Sequence, residues 1–264
     1  MVSVFSILGT TLLTTAGAFV ALWLLSLALR DASIVDIAWG AGFVQIAWVA
    51  AALSDGAAPR RVLVTALVTL WGLRLAYHLY RRNWGHGEDF RYQRMRAHHG
   101  GRFWLVSLYT VFGLQAGLMW VVSIPVQLAV AAHEPTGLTL LDALGTLIFA
   151  LGLTFEAVGD RQLARFRADP ANKGRVLDTG LWAWTRHPNY FGDAVVWWGL
   201  FTIALATPWG ILGVIGPALM NFFLLRVSGV ALLEKSLART KPQYRDYVER
   251  TSAFVPWPPK RTRV

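Results

Sequence analysis

The stretch from Val4 to Leu29 contains no charged residue, and it decides which solvent this chain is built for. A helix rises about 1.5 Å per residue, so roughly 20 apolar residues cross a hydrocarbon layer about 30 Å thick. The run is long enough to span such a layer. It is too long for the apolar part of a cleaved signal peptide, and no basic residue precedes it. Further apolar stretches follow at 33–53, 62–80, 103–131, 139–160, 190–206 and 208–233. Charged residues make up 15% of the chain, against about 25% in a soluble domain. The expectation is an all-α polytopic membrane protein with seven transmembrane helices, the fourth kinked at Pro125.

The net charge of +10 is concentrated by position. Segments 81–102 and 161–187 hold six Lys and Arg each, and 235–264 holds eight. All three lie between or after apolar runs, as cytoplasmic loops do under the positive-inside bias. This predicts an N-terminus outside and a C-terminus in the cytoplasm, with only Arg60 and Arg61 against the pattern. There is no RNA-binding motif and no basic helix free of the membrane, so nucleic acid is excluded as a partner. Cysteine is absent, which removes disulfides, thiolate chemistry and Cys-ligated metal. The six His are too few and too scattered for a di-iron centre, His86, His98 and His99 included, and no metal is expected. The PWPPK tail is too rich in Pro for a helix. One membrane domain is expected over 1–264. Its first part, 1–132, lies on the substrate side, and 133–264 on the cofactor side. High Ala and Arg without Cys points to a bacterial inner membrane.

Ionisable groups inside hydrocarbon are expensive and commonly functional. Asp36, Trp39, Gly40 and Phe43 share one helical face, and Gly40 permits a close approach there. Trp71, Arg74, Tyr77 and His78 share a face of the next span, so Asp36 and Arg74 can pair across helices. Glu156, Asp160 and Arg167 align on the fifth. Nearly all of these lie toward the ends expected to be cytoplasmic, which predicts a polar cavity opening inward.

Two loops and the tail carry the rest of the chemistry. Loop 81–102 places Arg91, Arg94 and Arg96 after Glu88 and Asp89. Guanidinium groups suit phosphate as bidentate donors, and equally suit anionic lipid head groups. Loop 161–188 supplies Arg167, Lys173 and Arg175, then WTRHPNYFGD. Pro188 suits the first turn of a helix, so a span starts there. Arg186 and His187 then stand at its positive end as an anion site, with Asn189, Tyr190 and Asp193 just below. The tail adds Glu234, Tyr244 and Tyr247, which can hold ribose or amide groups, or belong to an interfacial helix.

The stretches SIVDIAWGAGF, LWGLRL, GEDFRY, GLWAWTRHPNYFGD and EKSL to VPW together resemble the steroid 5α-reductase-like membrane proteins, in particular the bacterial branch carrying the DUF1295 domain. The RHPNYFGD motif is similar to that of sterol C14-type reductases. The shorter pattern RHP-x-Y also occurs in membrane methyltransferases that use S-adenosylmethionine. The resemblance implies NADPH held by the C-terminal helices and hydride transfer to a conjugated enone. It places Arg74, Arg167, Arg175, Asn189, Tyr190, Asp193, Glu234 and Tyr247 at cofactor contacts, and Asp36 as the acid that polarises the substrate carbonyl. The family's Tyr position holds Trp71 here, a departure that argues against a 3-oxo-steroid. Tyr77, on the same face, is the remaining donor.

The reading is therefore an NADPH-dependent ene reductase acting on a lipophilic, steroid- or terpenoid-like enone. Asp36 and Tyr77 are its catalytic candidates. Arg91, Lys173, Arg186, His187 and Tyr244 join the cofactor contacts. The alternative is an S-adenosylmethionine-dependent membrane methyltransferase.

Overall fold

A computed structural model describes residues 3–85, 87–227, 234 and 243–260. The described residues form helices and turns, and their β-pairing is one isolated bridge between Thr185 and Ser252. The helices are α1 (Val4–Leu29), α2 (Ile34–Leu53), α3 (Ala58–Asn83), α4 (Phe90–His99), α5 (Phe103–Ser107), α6 (Leu114–Val122), α7 (Ile124–Ala131), α8 (Leu140–Ala168), α9 (Leu181–Trp184), α10 (Pro188–Ala204), α11 (Ile215–Phe222) and α12 (Tyr244–Arg250). A π-helical turn, Leu108–Gly113, joins α5 to α6.

Among the described residues, six helical stretches are long and apolar enough to cross a membrane: Val4–Leu29, Ile34–Leu53, Ala58–Asn83, Phe90–Val122, Leu140–Ala168 and Gly210–Val227. Their outer faces carry exposed large apolar side chains, such as Phe5, Leu13, Leu24, Leu73 and Leu147. Water does not tolerate such a surface, and lipid does. This is an integral membrane protein. The remaining expected span, 190–206, corresponds to α10 (Pro188–Ala204). At 17 residues it reaches about 26 Å, slightly short of a hydrocarbon core about 30 Å thick. The kink expected at Pro125 is a break: α6 ends at Val122, and α7 restarts with Pro125 in its first turn, where its missing N–H is not needed.

The chain divides into two compact units, Met1–Asp142 with Ala204–Gly216, and Ala143–Ile203 with Pro217–Val264. In the first unit, α2 and α3 cross at Gly40 and Gly72. A Cβ on Gly40 would stand 2.2 Å from the Gly72 carbonyl oxygen, and one on Gly72 2.5 Å from that of Gly40. The neighbour that Gly40 admits is thus a backbone. Buried polar side chains tie the same bundle together. Thr11 donates to Gln127 at 2.5 Å, Gln127 donates to Ser123 at 2.8 Å, and the Trp120 indole donates to the Leu8 carbonyl at 3.0 Å. With no water nearby, such groups must satisfy one another.

Arg60 departs from the charge pattern because it is internal. It is fully buried, donates to both Asp142 oxygens at 2.7 and 2.9 Å, and donates to the carbonyls of Pro135 and Gly137 at 3.1 Å each. Arg61 donates to the Ser54 carbonyl. Both arginines staple loops at this end of α3.

In the second unit, α8 and α10 run antiparallel on a ladder of glycines. Gly145, Gly152 and Gly159 recur every two turns on α8 and meet Gly199, Gly192 and Asn189 of α10. A Cβ on Gly192 would lie 2.4 Å from the Glu156 backbone nitrogen. Small residues at this spacing let membrane helices pack backbone to backbone. The ladder brings the Glu156–Asp160 turn of α8 against the first turns of α10.

Candidate functional site

In the second unit the RHP motif is an extended link between the single turn α9 and α10. Thr185 is extended, at φ −148° and ψ 147°. The Phe191 N–H closes the first turn on the His187 carbonyl at 2.9 Å, so α10 starts at Pro188. The polypeptide of the tail runs alongside this link. Arg186 N–H donates to the Ser252 carbonyl at 2.9 Å, Trp257 N–H to the Trp184 carbonyl at 2.9 Å, and the Thr185 hydroxyl to the Phe254 carbonyl at 2.8 Å. The Pro-rich tail is thus a strap along the motif, with Trp257 still exposed.

Arg186 is almost fully buried and its donors face inward. Its Nε donates to Glu234 Oε1 at 2.7 Å, and its Nη1 to the carbonyls of Val248 and Thr251 at 3.1 and 2.6 Å. His187 Nε2 lies 3.3 Å from the same Glu234 oxygen, and its ring stacks on Tyr190 at 5.6 Å with planes 4° apart. Burial alone would raise the Glu234 carboxyl. Hydrogen bonds from His187 and Arg186, and their charge, overcome this and hold it at about 2. The positive charge expected to face a ligand is therefore largely answered within the protein.

Around this clamp, Asn189 Nδ2 donates to Asp160 Oδ1 at 3.0 Å. Glu156 and Asp160 are both buried. Tyr247 donates to the Trp182 carbonyl at 2.5 Å. The Tyr244 ring lies 5.8 Å from that of Tyr247. Its hydroxyl is buried near the Arg186 guanidinium, without a well-formed hydrogen bond among the described residues. Burial and the Glu234 charge push it up to about 12. Asn221 Oδ1 of α11 is likewise buried without a partner among the described residues. Asp193 sits on α10 one turn beyond Asn189. Arg167, Lys173 and Arg175 are exposed, at the end of α8 and in the loop after it.

Arg74, Arg91, Asp36 and Tyr77 belong to the first unit. The partner that the structure gives Asp36 is Arg91, at 2.6 Å, where the sequence suggested Arg74. Arg91 also pairs with Asp89 at 2.9 Å. Tyr77 is 63% exposed on the outer side of α3. The phenol at Asp36 is that of Tyr92, which donates to Oδ1 at 2.8 Å and is itself 3.4 Å from the Gln115 amide. Tyr92 was visible in the GEDFRY stretch but not as a partner of Asp36. It sits on α4, a helix inside what reads as a basic loop. Glu88 fixes this arrangement. It accepts from Arg96 at 2.8 and 2.9 Å and from the Ala32 N–H at 2.9 Å, while the Asp89 N–H donates to Ser33 at 3.1 Å. The turn before α2 is thereby bound to the start of α4. A shallow depression lined by Ser54, Asp55, Arg61, His133 and Glu134 lies at the opposite end of α2 from Asp36. His86 lies outside the described residues.

An uncharacterized protein of Schizosaccharomyces pombe is 25% identical over 223 residues, covering 75% of this chain and 64% of that protein. A protein of Ustilaginoidea virens named "Probable O-methyltransferase ustE" is 33% identical over 96 residues, covering 33% of this chain and 34% of its own length. The matches span less than two thirds of the length of either relative. No solved structure matches. The model of the family described as "Protein of unknown function (DUF1295)" matches residues 22–251, so the chain belongs to the DUF1295 family.

Proposed function

We propose that this protein is a membrane methyltransferase that uses S-adenosylmethionine to methylate an oxygen of a lipophilic small molecule. The observation that carries this reading is the Arg186–Glu234–His187 clamp. A site prepared for a nucleotide's phosphates needs guanidinium donors that face the ligand. Arg186 instead directs its donors to Glu234 and to two backbone carbonyls. The other polar groups of this unit's site are the buried carboxylates Glu156 and Asp160, the buried Tyr244 phenol and the half-buried Asn189 amide. Such a set suits a cationic ligand carrying hydroxyl and amino groups but no phosphate. The match to a relative named as an O-methyltransferase supports the same reading.

The residues we assign to holding the cofactor are His187, Asn189, Tyr190, Asp193, Glu234 and Tyr244. The buried Tyr244 hydroxyl and Asn221 oxygen, without well-formed hydrogen bonds among the described residues, fit a ligand that both accepts and donates hydrogen bonds. When bound, S-adenosylmethionine would supply the methyl group of its sulfonium to an acceptor hydroxyl, leaving a neutral thioether, with the hydroxyl proton released to water. Glu234, ionised at neutral pH, keeps Arg186 and His187 in place and neutralises the guanidinium that would otherwise repel a cation. The His187–Tyr190 stack offers an aromatic wall. The apolar helix surfaces admit an acceptor dissolved in lipid. On this reading α10 completes a set of seven spans in one membrane domain, and the basic segments lie in the cytoplasm, as in a bacterial inner membrane.

A second reading keeps NADPH and reduction of an enone. The exposed Arg167, Lys173 and Arg175 favour it, because they remain on the surface where phosphates can reach them. Mass spectrometry of small molecules retained by the detergent-purified protein separates the two. Retained S-adenosylmethionine or S-adenosylhomocysteine supports methyl transfer, and retained NADP(H) overturns it.

A further inference from the structure

We propose that the surface formed by the end of α3, the loop after it and α4 docks the head groups of anionic phospholipids. This inference concerns the first unit and rests on the membrane setting of the chain. It does not depend on methyl transfer.

Charge and apolar surface are combined here in an unusual way. The apolar part of α3 ends at Tyr80, and Arg81 and Arg82 follow at once, both exposed. Arg94 on α4 and Arg102 just after it are exposed too. Aromatic side chains stand out between these arginines. Trp84 is 65% exposed and Phe90 54%, and Tyr80 and Trp104 are also exposed. The Tyr80 and Trp84 rings lie 5.0 Å apart, and the Arg94 guanidinium packs over Phe90 at 5.1 Å.

The acids of this segment are engaged mainly by Arg96 and Arg91, and the charge of Asp89 also reaches Arg82. Residues 80–104 contain two, Glu88 and Asp89. Glu88 is turned inward and pairs with Arg96, and the half-buried Asp89 pairs with Arg91. Burial would raise both carboxyls. Hydrogen bonds from Arg96 and the Ala32 N–H hold Glu88 below its ordinary range, and those from Arg91 do the same for Asp89. They stay ionised and locally neutralised, so among the described residues the exposed charge of the segment is predominantly basic.

A soluble anion would use the arginines but has no use for the exposed rings. A bilayer boundary uses both. Indole and phenol rings settle at head-group depth, and clustered arginines beside a span attract anionic lipid.

The test is native mass spectrometry of the full-length protein in mild detergent, with dissolved phosphatidylglycerol or phosphatidylcholine added. The wild type is expected to retain phosphatidylglycerol in preference. Arg81→Gln, Arg82→Gln, Arg94→Gln and Arg102→Gln combined should remove most of that preference, at about fivefold per arginine. Arg161→Gln with Arg165→Gln, in the other unit, should leave it intact. If the combined variant does not fold, the single variants Arg81→Gln and Arg94→Gln decide, each with about a fivefold weakening expected. Three results would overturn the proposal: equal retention of both lipids by the wild type, an undiminished preference in the variants, or displacement of phosphatidylglycerol by stoichiometric inorganic tripolyphosphate.

Discussion

The Tyr92 hydroxyl donates to Asp36 across 2.8 Å, joining residues 56 positions apart in the chain. Asp36 is in the first turn of α2 and also takes a guanidinium from Arg91. Hydrogen bonds to charged groups contribute about 1.5–3 kcal/mol each. Tyr92→Phe should therefore destabilise the purified protein by about 2 kcal/mol, read as a lowered thermal midpoint in detergent. Tyr77→Phe, at an exposed position on α3, should change stability by less than about 0.5 kcal/mol. Equal effects from the two would show that the Asp36–Tyr92 bond does not hold this end of the bundle.

The glycine ladder of α8 and α10 gives a contrast of the same kind. Gly192→Ala would drive a Cβ against the Glu156 nitrogen and the Gly152 carbonyl oxygen, at 2.4 and 2.5 Å. Both are backbone atoms in helices and cannot move aside cheaply. We expect a loss of roughly 1–3 kcal/mol, as for other overpacked interiors. Gly9→Ala on α1 meets nothing within 4 Å. It should be neutral or slightly stabilising, because Ala favours a helix over Gly by up to about 1 kcal/mol. Thermal unfolding of the two variants in one detergent checks the pair.

Arg60 and Asp142 form a pair that should not be broken on one side. Both are buried, and Arg60 also holds two loop carbonyls. Asp142→Ala leaves the guanidinium buried without its counter-charge, a change that commonly costs about 3–5 kcal/mol. The expected result is a protein that extracts poorly or unfolds well below the wild type. A variant of normal stability would mean that Arg60 reaches solvent.

Glu234 sets an acid limit on the second unit. Its carboxyl is held at about 2, against 4.5 as a free side chain. A depressed carboxyl stabilises the fold fully above its unfolded value. That contribution falls as pH drops below about 4.5 and is gone below about 2. Acid unfolding should therefore include a transition in this window that Glu234→Gln removes, followed by near-ultraviolet circular dichroism between pH 6 and 2. A Gln variant with an unchanged acid profile would show that the clamp is open in solution.

The membrane helices were legible because length and apolarity decide a span locally, and Pro188 and Pro125 marked where helices start and break. Long-range pairing was not. Arg60 reads as a misplaced charge until Asp142, 82 positions away, is found against it. Arg186 reads as an anion site until Glu234 and the tail carbonyls occupy its donors. Tyr92 was hidden because helical-face reasoning works within an element, and its partner is on another. The spacing of Gly145, Gly152 and Gly159 was present in the sequence all along. Only the opposing Gly192 and Gly199 show that it is a packing surface.

On the proposed reading, the clamp around Glu234 belongs to a site for a cationic, phosphate-free methyl donor. Isothermal titration of the full-length protein in detergent, with S-adenosylmethionine and then with NADPH, tests it most directly. Saturable binding of S-adenosylmethionine is expected, weakened at least tenfold by Tyr244→Phe combined with Asn189→Ala, with no binding of NADPH. Saturable binding of NADPH with none of S-adenosylmethionine would contradict it.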